Sequence, residues 1–118
     1  MGDKPVIYIA GPYTMPDPAV NVREACLVAE SIVGMGGMPM VPVLMHLWHL
    51  ISPHGWQYWM NIDLALLEKA DGLYRMAGES KGADMEVLQA HKLGVPVFDK
   101  LSIVGQWIRS GWPRKWEG

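Results

Sequence analysis

At 118 residues, half of them apolar, the chain is sized for one packed domain spanning 1–118. Ten Lys and Arg against twelve Asp and Glu leave a formal charge of −2, and no basic run marks a binder of duplex nucleic acid. The single cysteine, Cys26, excludes an internal disulfide and a thiolate metal cluster, which fits a reducing, cytoplasmic setting.

VIYIA (Val6 to Ala10) is a continuous apolar run between Pro5 and Gly11, and its β-branched content predicts a buried strand. Before it, MGDKP lacks the long apolar segment of a signal peptide. GPYTMPD breaks the chain after the strand. Asp17 and Pro18 read as a helix N-cap and first helical position. Val22, Cys26, Ala29 and Val33 follow at helical spacing, which predicts a helix to about Gly34.

Gly34-Met35-Gly36-Gly37 superficially resembles a phosphate loop, but it follows a helix and is expected to be that helix's C-terminus and turn. MPMVPV (Met38 to Val43) is expected to be a second strand, at or near a sheet edge because of its prolines. The longest apolar run, MPMVPVLM, is too short to span a bilayer, so no membrane partner is expected. LMHLWHLISPHG then reads as a long loop, or a loop with a short helical turn. It carries His46, His49 and His54, whose spacing matches no familiar zinc pattern, so no metal is expected. One or two of these histidines lining a pocket is the better reading, with simple packing for His49.

WQYWMNIDLALLEKA predicts a second substantial helix. The residues three and four positions from Asp63 are Trp59, Met60, Leu66 and Leu67, so Asp63 projects from an apolar face. A buried lone carboxylate is costly, so it lines a cavity or serves as a structural hydrogen-bonder. DGLYRM (Asp71 to Met76) is the third expected strand. It runs into GESKGADMEVLQA, Gly78 to Ala90, which opens a helix from about Lys81 to Leu93 ending at Gly94. Three of the four helical neighbours of Glu86 (Gly82, Ala83, Gln89 and Ala90) are small, which leaves room for another molecule beside its carboxylate. Glu86 is therefore the leading catalytic candidate, although solvation is the commoner fate of a helix glutamate. VPVF is a fourth expected strand, and Leu101, Val104, Trp107 and Ile108 predict a terminal helix.

The alternation of apolar runs with amphipathic helices implies an α/β fold: a doubly wound, mainly parallel sheet of four to five strands with helices on both faces. Ligands bind such sheets beyond the carboxyl ends of the strands. GPYT, LMH and GESKG all fall at that end, and Asp63 can reach it from its helix.

YIAGPYT, the Asp of NIDLALLEKAD, and SKGADME with a following A-x-x-x-G resemble the nucleoside 2-deoxyribosyltransferase superfamily, over most of residues 5 to 98. The nearer relatives are the 2′-deoxynucleoside 5′-phosphate N-hydrolases and small phage and bacterial proteins of similar length. The resemblance implies that Glu86 attacks the anomeric carbon, that Asp63 orients the sugar or departing base, and that Tyr8 lies against sugar and nucleophile. It places Ser80 at the 5′ end. Gly11, Pro12, Tyr13 and His46, at the carboxyl ends of the first two strands, are expected to bind the substrate, with Lys81 as a nearby cation and Gly82 letting the backbone come close. The hydrolases carry an Arg shortly after the first-strand Gly, where this chain has Tyr13 or Thr14. The resemblance further implies a nucleoside or nucleotide substrate, no cofactor, and a homodimer or larger assembly. A Ser at position 80, where relatives acting on unphosphorylated nucleosides carry an acid, points to a 5′-monophosphate. Two other functions remain open on these residues: a nucleotide-binding module without turnover, and a nicotinamide-dinucleotide-cleaving enzyme.

Overall fold

The computed structural model describes residues 4–14 and 16–116. Its elements run β1 (Val6–Ala10), α1 (Pro18–Gly34), β2 (Met38–Met40), a 3-10 turn (Pro42–Met45), α2 (His46–Ile51), α3 (Trp56–Leu67), β3 (Gly72–Arg75), α4 (Lys81–Leu93), β4 (Val97–Phe98) and α5 (Leu101–Arg109). The four strands form one sheet in the order β2-β1-β3-β4. Every pairing is parallel, and Tyr8 stands between Met40 and Leu73.

Side chains alternate across β1, and the alternation builds two cores. Ile7 and Ile9 pack with Ala25 and Ile32 of α1 and Val104 and Trp107 of α5. Tyr8 and Ala10 point the other way, into Leu67 of α3 and Ala83 and Ala90 of α4. The sheet is thus wound on both faces, and β1 and β3 flank the point where the strand order reverses.

The helix ends follow the chain's own signals. Asp17 Oδ1 accepts from the N–H of Ala19 at 2.8 Å and of Val20 at 3.3 Å, and Pro18 opens α1. Gly94 closes α4 in the left-handed region at φ 73°. Gly72 has a steric reason: an added Cβ would sit 2.9 Å from Cη2 of the fully buried Trp107.

Two expectations change. The second strand ends at Met40, because Pro42 opens a 3-10 turn instead of continuing the ladder. The histidine-rich segment, expected to be a loop or a loop with a short helical turn, is largely helical, in the 3-10 turn and α2. Val22, Cys26, Ala29 and Val33 lie in the helix their spacing predicts; its buried residues are Asn21, Ala25 and Ile32, whereas Val33 is 53% exposed. Apolar residues occupy a broad arc of α1, so spacing alone does not fix its packed side; packing on Ile7, Ile9 and α5 does.

Candidate functional site

A cavity of about 520 Å³ opens at the carboxyl ends of β1 and β3. Its floor is Tyr8, Asp63 and Glu86. One wall is the segment after β1, Gly11 to Thr14. A second is the turn after β2 with His46 and His49. The third is the start of α4, with Glu79, Ser80, Lys81 and Gly82.

Tyr8 is fully buried in β1, and its Oη donates to Oε2 of Glu86, itself 5% exposed. Small residues make this possible: Ala83 and Ala90 of α4 lie buried against the sheet one turn either side of Glu86. Burial pushes the Glu86 carboxyl up to about 8; the Tyr8 bond and the charge of Arg75 pull the other way, while Asp63 raises it further. Asp63, half buried on α3, is pushed up to about 6 by loss of solvent, opposed by a hydrogen bond with Glu86. Burial, and the two carboxylates beside it, hold the Tyr8 hydroxyl far above its ordinary value, so it stays a donor. The two carboxyls therefore titrate as a pair, with a proton available near neutral pH.

The loops around the floor are fastened from outside. Asn21 Nδ2 donates to Tyr13 O at 2.9 Å and holds the segment after β1. Arg75 ties the segment after β3 together: its guanidinium donates to Met76 O, to Gly78 O at 3.0 Å and to Asp84 Oδ1 at 3.0 Å. Gly78 takes φ 116°, and a Cβ there would lie 2.9 Å from Pro12 Cγ, so the segments after β1 and β3 touch only because it has none. On the opposite wall, Nδ1 of His49 accepts from Trp59 Nε1 at 2.8 Å and from the His54 N–H at 3.2 Å.

Among the described residues, two buried polar atoms on this cavity's lining have no partner: Tyr13 Oη and His46 Nδ1. Their rings lie 4.6 Å apart. At the start of α4, Ser80 Oγ accepts from the Ala83 N–H at 3.1 Å, and Lys81 Nζ stands 5.3 Å from the Trp56 ring centre. Among the described residues, no group of three or more His, Cys, Asp or Glu is placed to hold a metal ion.

Residues 5–99 match the model of a family described as a domain of unknown function, DUF4406. The chain belongs to this family. No curated protein matches it. Among solved structures it is similar to a 2-deoxyribosyltransferase from the psychrotolerant bacterium Bacillus psychrosaccharolyticus, with a TM-score of 0.63 and 15% identity. That match covers 92% of this chain and 96% of the other. At such identity the likeness establishes a shared α/β fold.

In this DUF4406 chain the ten residues singled out from sequence all line the one cavity: Tyr8, Gly11, Pro12, Tyr13, His46, Asp63, Ser80, Lys81, Gly82 and Glu86. His49, expected to be a packing residue, both packs against Trp59 and lines the cavity. Sequence reasoning missed Trp56, Trp59 and Met60, although with Asp63 they form one stripe along α3. It also missed Arg75, whose signal was a lone cation in an otherwise uncharged run, Leu73 to Met76.

Proposed function

We propose that this cavity cleaves or transfers the N-glycosidic bond of a 2′-deoxynucleoside or its 5′-monophosphate, with Glu86 as nucleophile. The observation that carries the reading is the floor itself: a buried carboxylate held by a tyrosine hydroxyl, with a second carboxyl of raised proton affinity beside it. Such a group, placed under an anomeric carbon, stabilises an oxocarbenium-like state and can trap it covalently. The Glu86 oxygen forms a bond to the anomeric carbon as the glycosidic bond breaks, and its electron pair leaves with the base nitrogen. Asp63, protonated below about 6 and paired with Glu86 above that, supplies the proton the base takes. Attack by water then releases the sugar and regenerates Glu86; attack by another base completes a transfer.

Tyr13 Oη and His46 Nδ1 suit the base, since each needs a partner that the described residues do not provide. The 5′ end belongs at the start of α4. Ser80 keeps its O–H to donate even while its oxygen caps the helix, and the first-turn N–H groups and Lys81 favour a phosphate. The same reading includes a homodimer or larger, whose contact would cover Leu47, Leu50 and Ile51 of α2, all exposed beside the cavity.

The test is chromatographic detection of free base from a panel of deoxynucleosides and their 5′-monophosphates. Glu86→Gln keeps the shape and removes the nucleophile, so base release should fall by roughly three orders of magnitude or more in a folded protein. Undiminished release by folded Glu86→Gln overturns the assignment. Saturable binding without base release in the wild type would instead leave a binding module.

A further inference from the structure

Arg75 closes β3 at the end of the sheet where the cavity opens, yet it is not one of the cavity's lining residues. Strand alternation puts it on the same side as Leu73, the side covered by α3 and α4. Its side chain is only 17% exposed. A guanidinium withdrawn from solvent needs partners, and this one finds them in the chain that follows it. Nη1 donates to Met76 O, and Nη2 donates to Gly78 O and to Asp84 Oδ1, each at 3.0 Å.

These acceptors belong to the two pieces of chain that set where Glu86 lies. Met76 and Gly78 are in the connection from β3 to α4. Its path is also guided by the Met76 N–H, which donates to Ala10 O at 2.7 Å, and by Gly78 lying against Pro12. Asp84 is in the first turn of α4, two residues before Glu86 and about 200° away around the helix axis. It faces outward with a side chain 71% exposed, while Glu86 is 5% exposed. Holding the outer face of that turn therefore fixes the rotation that carries Glu86 inward to Tyr8. An ion pair to so exposed an aspartate contributes little by itself. The two backbone carbonyls are what keep the guanidinium in one place.

We propose that Arg75 is the positioning residue of the candidate nucleophile, clamping the β3–α4 connection and the first turn of α4 in the arrangement that brings Glu86 to Tyr8 and Asp63. The planar fork matters, because an ammonium on a flexible stem does not hold three such acceptors in a fixed geometry. The charge matters as well. The groups acting on Glu86 are Tyr8 of β1, Asp63 of α3 and Arg75 of β3, and Arg75 is the one whose charge favours the ionised carboxylate. On α4 itself the charged or titratable side chains near its ends are Lys81 and Asp84 in the first turn and His91 and Lys92 in the last.

The experiment follows the Glu86 side-chain carboxyl carbon of the full chain by NMR as pH is varied, with Glu86→Gln assigning the signal. Base release from the deoxynucleoside and monophosphate panel is measured on the same proteins. The rate measurement rests on the glycosidic reading; the titration does not. In Arg75→Gln the Glu86 midpoint should move to higher pH, and base release per folded molecule should fall on the order of tenfold to a hundredfold. Arg75→Lys keeps the charge without the fork, so its midpoint should move less while release still falls at least about tenfold. An unmoved Glu86 midpoint in folded Arg75→Gln, or wild-type release by Arg75→Lys, overturns the assignment. A wild type that releases no base counts against the glycosidic reading alone, and the titration then decides for Arg75.

Discussion

At the scale of single residues, Glu86 is set up against stability. Between the ordinary glutamate range and about 8, the folded protein keeps a proton that the unfolded chain has lost. Folding then takes up protons, so stability falls as pH rises through that window. Glu86→Gln has no proton to lose. It should melt higher than wild type at pH 8, by an amount on the order of 2–4 kcal/mol, with the difference vanishing near pH 4. Melting curves from pH 4 to 9 check this; parallel curves for the two proteins would contradict it. Asp63 acts on the same proton. Attack needs Glu86 ionised and one proton left on the pair, so kcat/KM should rise through about 6, peak near neutral pH and fall above about 8. Asp63→Asn removes the proton donor, so the maximum should drop and the loss of activity above about 8 should disappear, leaving a single rising limb set by Glu86. An unchanged bell with a lowered Tm would make Asp63 a structural residue only.

At the scale of elements, α4 and β1 are held together by small residues on one and an aromatic on the other. Ala83 and Ala90 let the helix approach the sheet, and Tyr8 reaches Glu86 across the gap. On the sheet's other face the equivalent contact is Gly72 against Trp107. A methyl at Gly72 meets ring carbon, which cannot yield without moving α5. Gly72→Ala should therefore destabilise by about 1–3 kcal/mol, while leaving the cavity on the opposite side of the sheet able to turn over substrate per folded molecule. Chemical denaturation together with an activity measurement separates the two effects. Strand and helix identities were legible in the sequence because hydrophobic runs, Asp17-Pro18 and Gly94 are local signals. The length of β2 and the extent of the helix His46–Ile51 were not. Proline at 42 is compatible with a strand edge or with the first turn of a helix, and only the neighbouring packing chooses.

At the scale of the whole molecule, the uncharged segment from Met38 to Ile62 supplies part of the cavity's lining. It leaves Leu47, Leu50 and Ile51 exposed, the last at 86%. Apolar area of that kind beside a site marks an interaction surface. The proposed self-association predicts a particle at least twice 13.2 kDa by light scattering at micromolar concentration. Ile51→Glu should then reduce it to the single-chain mass with its secondary structure intact. A wild-type particle of only 13.2 kDa would refute the assembly.

The sequence by itself determined the order of strands and helices, because hydrophobic runs and cap residues are local signals; the parallel sheet followed from their alternation, and the small helical neighbours of position 86 singled out its carboxylate as a candidate. It also placed the segments after β1, β2 and β3 at one end of the sheet, since a parallel topology leaves them nowhere else. The resemblance implied that Tyr8 lies near the nucleophile; only the tertiary structure decided that its hydroxyl bonds Glu86 across 78 positions, that Asp63 sits close enough to share its proton, and that Arg75 fastens the loop above them. Proton affinity in such a cluster depends on solvent exclusion and on distances between groups from different elements, neither of which has a periodicity or a spacing to read.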